Sequence, residues 1–323
     1  MKKIAFLGEV MQRLTPPNHD KLEQATSLNV TYGGSEANIA ISMANFGHDV
    51  KMATVLPNNP LGTAALRALR QYGIDTSSTK MAGEILGTYY LEVGHSVRSS
   101  QVVYNRKYSA IALSDESTLD VHGILQGRTH LHVSGITLAL GEGIRKFMMK
   151  LVKEAFSQGI TISFDFNYRA KLWTVEEAKP FMKEILPYIH VAFASKWDIE
   201  TFAGMSFEEF LAETNCQVIF GTMREALGTH RNRIQAYAYF GNGQHEVSRK
   251  YEFEIIDRVG GGDAFVAGVL HTLDLEIGNF KESVEYGMAT GVLKHTINGD
   301  VLLTTESEIQ GMLHSNVLGG IAR

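Results

Sequence analysis

The chain has one cysteine, Cys216, in 323 residues. That excludes an intrachain disulfide framework and a cysteine-rich zinc site, and fits a reducing cytoplasm. No block of lysine and arginine appears, and 30 basic against 35 acidic residues leave a formal net charge of −5. A nucleic-acid or anionic-membrane partner is therefore not expected. No apolar stretch reaches membrane length, and the first residues run straight into a strand-like Ile4-Ala5-Phe6-Leu7-Gly8 rather than a signal-peptide core. There is no internal repeat, low-complexity tract or linker, so a single domain over residues 1–323 is expected. The twelve histidines are scattered, and His130 and His132 alternate with apolar residues as strand neighbours do, not as metal ligands. What remains is an ordinary globule, 44% hydrophobic and 20% charged, able to bury a sizeable core.

The most informative stretch is Asp257-Arg258-Val259-Gly260-Gly261-Gly262-Asp263-Ala264-Phe265. Three glycines end an apolar run and hand over to Asp263 and a helix-like stretch, Ala264 to Leu273. Glycine lets backbone N–H groups face a ligand with no Cβ in the way, and a helix starting there adds unpaired donors suited to a phosphate. A carboxylate in such a place repels the anion that its surroundings attract. It makes sense as a base that takes a proton from a hydroxyl attacking the phosphate. The plainer alternative is a glycine-rich turn whose aspartate caps the helix.

Along the chain, Lys3 to Leu7 reads as a buried strand followed by Gly8 and Glu9. Residues 10–32 lack helical period, with a turn at Pro16-Pro17-Asn18. Gly33-Gly34-Ser35-Glu36-Ala37-Asn38 opens a helix ended by Gly47, either as a cap or as a place where a polyol approaches backbone and Asn38. Val50 to Val55 is a strand and Leu61 to Tyr72 a helix. This alternation predicts an α/β fold with a doubly wound, mostly parallel sheet. Residues 84–110 break the alternation. Thr88 to Val93 and Gln101 to Arg106 read as a hairpin, which with residues 10–32 is expected to form a small β-sheet lid. Arg128 to Ile136 is a strand and Glu142 to Gln158 a helix. Ile160 to Phe164 runs into Asp165-Phe166-Asn167-Tyr168-Arg169, placing polar groups where such sheets bind ligands. Arg169 suits a phosphate or carboxylate, or is a surface charge on a capped turn. Ile189 to Ala194 and Gln217 to Phe220 are strands. A loop from Gly221 to Gly228 is expected beside a nucleotide, and antiparallel edge strands fill Thr229 to Ile256. Residues 281–296 form one more helix, which Asn298-Gly299-Asp300 ends.

Three stretches resemble one family in order and spacing, the ribokinase-like (PfkB-type) sugar kinases. Gly33-Gly34 through Asn38 to Gly47 resembles the N-terminal signature. Asp257 to Phe265 resembles the C-terminal D-T-x-G-A-G-D, with Arg258 and Gly261 in place of Thr and Ala. Asp165-x-Asn167-x-Arg169-x-x-Leu172-Trp173 resembles a version found in fructokinases and 2-keto-3-deoxygluconate kinases. Phe6 to Glu9, Gly87 to Glu92, Tyr104-x-Arg106-x-x-Ser109-Ala110 and Ser134 to Ile136 look most like the latter. The resemblance implies transfer of the ATP γ-phosphate to the 6-hydroxyl of a sugar acid, with Asp263 as base and the Gly260, Gly261 and Gly262 amides as anion hole. It implies sugar contacts at Gly33, Gly34, Asn38, Tyr89, Tyr104, Arg106 and Arg169, with Asp300 as a further one. It implies ATP contacts at Asn167, Ser195, Thr222, Gly228, Gly260 and Gly262. The family's N-x-x-E, which organises Mg²⁺, becomes Ser195-x-x-Asp198, so Asp198 would act on the metal indirectly. Rival expectations are a fructokinase and a sugar-binding protein without turnover. The open edges of a lid sheet make a homodimer the expected assembly.

Overall fold

Successive residues of the first strand feed opposite cores. Ile4 and Phe6 pack on one side, Ala5 and Leu7 on the other. A strand apolar on both faces must lie in the middle of a sheet covered twice. The computed structural model describes residues 1–314. Numbered along the chain, the strands are β1 (Lys3–Leu7), β2 (Met11–Thr15), β3 (Asn29–Gly33), β4 (Asp49–Ala53), β5 (Val55–Leu56), β6 (Lys80–Met81), β7 (Thr88–Glu92), β8 (Gln101–Asn105), β9 (His130–Ser134), β10 (Thr161–Asp165), β11 (Val191–Phe193), β12 (Val218–Ala226), β13 (Arg231–Phe240), β14 (Gln244–Val247) and β15 (Tyr251–Glu254).

The large sheet runs β14-β13-β12-β11-β10-β9-β1-β4, with β15 also on β13. It is parallel from β4 to β12 and antiparallel beyond. Helices Ser35–Asn45, Gly261–Thr272 and Phe280–His295 cover one face. Helices Glu142–Ser157 and Val175–Ile185 cover the other. This is the doubly wound arrangement that the alternation predicts. Among the described residues no helix is long and apolar enough to cross a membrane.

The segments expected to form a lid do form a separate four-stranded sheet, β3-β2-β7-β8. One expectation needs correction. The loop expected from Gly221 to Gly228 is mostly strand, because β12 continues through Ala226 and pairs antiparallel with Asn232 to Phe240. Gly221 looks like a strand stop, but a Cβ there would overlap the side chain of Tyr237, so the small residue serves packing within the hairpin. The chain also adds a helix, Glu306–His314, after Asp300. It is only nine residues long and buries Ile309 and Met312, too brief a pattern to stand out in sequence.

Candidate active site

The carboxyl ends of β9, β10 and β11 open under the lid sheet, where an open α/β sheet binds its ligands. Helix Gly261–Thr272 points its first turn at the same place. Between them lies a cavity of about 650 Å³. Its walls bring together Gly34, Asn38, Tyr89, Tyr104, Arg106, Asn167, Arg169, Ser195, Asp198, Thr222, Gly260, Gly262, Asp263 and Asp300. These residues come from stretches nearly 270 positions apart, taking the numbers 34 and 300 at the ends.

Asp263 sits in the first turn of its helix, and no side chain caps that helix. Its carboxylate accepts from Ser35 Oγ at 3.0 Å and from Asn38 Nδ2 at 2.7 Å. Neither donor is charged, so the carboxylate is oriented without being neutralised. Burial pushes its pKa up to about 6, while the bonds from Asn38 and Ser35 and the charge of Arg169 hold it from going higher. Asp165 is pushed further, to about 8, first by burial and then by the charge of Asp263. At neutral pH Asp263 is the ionised member of the two. This separation suits a general base beside a second, mostly protonated carboxyl. Asn167 donates to Ser35 Oγ at 2.9 Å and to Asp165 at 3.2 Å, from a backbone with φ of 38°. It therefore buttresses Ser35 and Asp165 beside Asp263 as well as facing the cavity.

The roof holds two ion-paired arginines that sequence reasoning treats differently. Arg106 pairs with Glu9 at the end of β1, and both are buried. Its Nε has no hydrogen-bond partner among the described residues. Arg13 on β2 was not singled out by any motif. It donates from Nη1 to Asp300 Oδ1 and from Nη2 to Asp257 Oδ2, each at 2.5 Å. Tyr89 donates its hydroxyl to the other oxygen of Asp300. Arg169, by contrast, has no carboxylate within ion-pair distance among the described residues. Tyr104 is partly exposed, with the guanidinium of Arg106 and the ammonium of Lys171 each 5.8 Å from its ring centroid.

Ser195 and Asp198 form a capping box. Ser195 Oγ accepts from the Asp198 N–H, and Asp198 Oδ2 accepts from the Ser195 N–H at 2.7 Å. Burial raises the Asp198 pKa, with the Ser195 bonds opposing it. The spacing that resembles a shortened N-x-x-E thus has a local structural use, and Asp198 faces the cavity as well.

Three expected contacts stand elsewhere. Gly228 lies in the β12–β13 turn and lines a different cavity, because the strand continuing past Gly221 carries it away. Gly33 faces Asp300 and Asn38 rather than the main cavity, and a Cβ there would overlap the Asp300 carboxylate. Gly261 is buried in the helix, where a Cβ would overlap the ring of His295. Residues missed by sequence reading are Arg13, Glu9 as the partner of Arg106, Ser35, and Glu36. Glu36 is fully buried beneath the site and accepts from Ser134 Oγ at 2.6 Å and Thr137 Oγ1 at 2.7 Å. Ser35 and Glu36 lay inside the Gly33 to Asn38 motif, so their spacing to Asn38 was the available signal.

Comparison with known proteins gives the site its setting. Residues 1–302 match the family model described as pfkB family carbohydrate kinase. A 2-dehydro-3-deoxygalactonokinase of Haloferax volcanii is 30% identical over 98% of both chains. A 2-dehydro-3-deoxygluconokinase of Bacillus subtilis is 26% identical over 91% of this chain and 90% of its own. The crystal structure of a 2-dehydro-3-deoxygluconokinase from Thermotoga maritima superposes with a TM-score of 0.93 at 37% identity, covering 98% of this chain and all of that one. With an uncapped helix behind a glycine run, a buried carboxylate held by neutral donors and a small sheet over both, the chain belongs to the pfkB family of carbohydrate kinases.

Proposed function

We propose that this kinase transfers the terminal phosphoryl group of ATP to the 6-hydroxyl of 2-keto-3-deoxygluconate. The observation that carries the reading is Asp263, an ionisable carboxylate held by two neutral donors at an uncapped helix start in the wall of the cavity. The sugar hydroxyl gives its proton to Asp263 as its oxygen bonds to phosphorus and the bond to ADP breaks. Charge developing on the transferred group falls on the N–H groups of Gly260 and Gly262, the two glycines of the run that line the cavity. Magnesium arriving with the nucleotide supplies charge neutralisation at the phosphates. Asp165 and Asp198 would hold such an ion: both line the cavity, and burial raises both above the ordinary carboxylate range. Among the described residues no group of three His, Cys, Asp or Glu side chains is placed to cage a metal by itself. That suits an ion held largely by phosphate and water.

Two arginines favour a sugar acid over a neutral sugar. Among the described residues Arg169 has no carboxylate within ion-pair distance, and the buried Nε of Arg106 lacks an acceptor. A buried donor left unsatisfied is costly, and a substrate carboxylate supplies the missing acceptor. Names of the relatives point the same way, to deoxy sugar acids with a keto group. Replacing Arg106 by lysine keeps a charge opposite Glu9 but removes Nε. Arg106→Lys is expected to raise KM for 2-keto-3-deoxygluconate about ten- to a hundredfold, while KM for ATP hardly moves. Residual turnover of fructose, which has no carboxylate, should be nearly unaffected.

The direct test is ADP release with 2-keto-3-deoxygluconate, its galacto epimer, fructose and ribose in parallel. A preference for fructose would replace this reading with a fructokinase. No turnover of any sugar would favour a binding protein on the kinase fold. The pH dependence gives a second check. A base with a pKa of about 6 must lose its proton to act. kcat/KM should therefore fall as pH drops through about 6, roughly tenfold per unit below it. A profile flat down to pH 5 would remove Asp263 from that role. For assembly, we propose a homodimer through the lid, whose outer strands β3 and β8 leave edges open and expose Val30 and Val103.

A further inference from the structure

Three strands of the lid converge on one carboxylate that belongs to the main body of the chain. From β2, Arg13 reaches Asp300 and Asp257. From β7, where Tyr89 is the register partner of Arg13, the hydroxyl reaches the second oxygen of Asp300. From β3, Gly33 leaves the space that the Asp300 carboxylate fills. Arg13, Asp257 and Asp300 are 4%, 4% and 3% exposed, so this is an enclosed contact and not a surface ion pair.

Both carboxylates lead to the anion hole. Asp257 opens the glycine run. One of its oxygens accepts from the Val259 N–H at 3.1 Å and the other from the Gly299 N–H at 3.0 Å. The backbone carbonyl of Asp300 lies directly beneath Gly260, closely enough that a Cβ on Gly260 would overlap it. Gly260 itself has φ of 83°. The position of Asp300 therefore sets where Gly260, and with it the N–H groups of the next turn, can stand.

From this geometry we propose that Arg13 is a positioning residue: it locks the lid strands to the glycine run, so that the anion hole is aligned only when the lid is seated. This rests on the kinase reading above. Arg13 does not line the main cavity. It acts through Asp257 and Asp300, and its planar fork can bridge two carboxylates at once, which the single ammonium of lysine cannot. Tyr89 and Asp300 thereby serve the loop as well as the cavity wall.

The test uses Arg13→Lys and Arg13→Met in the full chain, with melting temperature, kcat, both KM values and amide exchange of residues 258–263. Arg13→Lys should stay folded and lose kcat about ten- to a hundredfold, with KM for ATP within about twofold of wild type, because misplaced donors are felt in the transition state. Exchange of residues 258–263 should quicken in the same variant without any ligand present. If Arg13→Met fails to fold, Arg13→Lys alone decides. A folded Arg13→Lys with kcat within about twofold of wild type, or with a loss that only follows its unfolded fraction, overturns the proposal. Should wild-type protein phosphorylate none of the sugars, the kinase reading falls on its own, and unchanged exchange at residues 258–263 would still overturn the role of Arg13.

Discussion

Asp263→Asn is expected to fold, to bind nucleotide, and to lose kcat on the order of 100- to 10,000-fold. The carboxamide has the shape of the carboxylate. Its oxygen can keep the bond from Asn38 Nδ2, now 2.7 Å, and its amide can donate to Ser35 Oγ, whose hydroxyl turns to suit. What it cannot do is accept the proton of the attacking hydroxyl. Stability should hold or rise. A carboxyl whose folded pKa is raised to about 6 favours the native state while protonated and weighs against it as pH rises through that value. At pH 7 the wild-type carboxylate is ionised and carries that cost, whereas asparagine does not. Single-turnover phosphate transfer and calorimetry on the same samples separate the two effects. Retention of more than about a tenth of wild-type turnover would falsify the base assignment.

How much of this was legible in the chain depended on whether the signal was local. Alternating apolar strands and helices, each ended by glycine or turn residues, were enough to place the doubly wound sheet. The β-rich runs at residues 84–110 were enough to place the lid. Asp263, Asn38 and the glycine run were legible because their chemistry sits in short motifs. Arg13 was not. Its two partners lie 244 and 287 positions away, and a single arginine in a half-buried strand looks like any exposed charge until the sheet brings it inside. The Gly221 to Gly228 segment failed for a related reason. Glycine there answers the bulk of Tyr237 across the hairpin, a long-range demand that mimics a local stop. Ser195-x-x-Asp198 shows how one spacing serves two readings, since a capping box and a shortened metal motif both place a carboxylate three residues after a donor.

The three glycines of the run looked alike in sequence, yet they should respond to substitution in opposite ways. A Cβ built on Gly262 meets nothing within 4 Å, because it points into the open cavity beside Asp263. Gly262→Val should therefore leave the melting temperature unchanged or slightly higher, as valine is a better helix residue than glycine. Its side chain would occupy the space where a phosphate must meet the backbone donors. Loss of one such donor costs about 100- to 1,000-fold in kcat, and a blocked approach should cost at least that. Gly260 is the contrast. Its φ of 83° disfavours any side chain, and its Cβ would overlap the Asp300 carbonyl. Strain of about 1–3 kcal/mol is expected there, so Gly260→Ala should lower the melting temperature by several degrees as well as slowing turnover. Differential scanning calorimetry paired with initial rates on both variants gives the answer. If Gly262→Val kept turnover within about tenfold of wild type, or melted as early as Gly260→Ala, the run would be a structural turn and the phosphate would bind elsewhere.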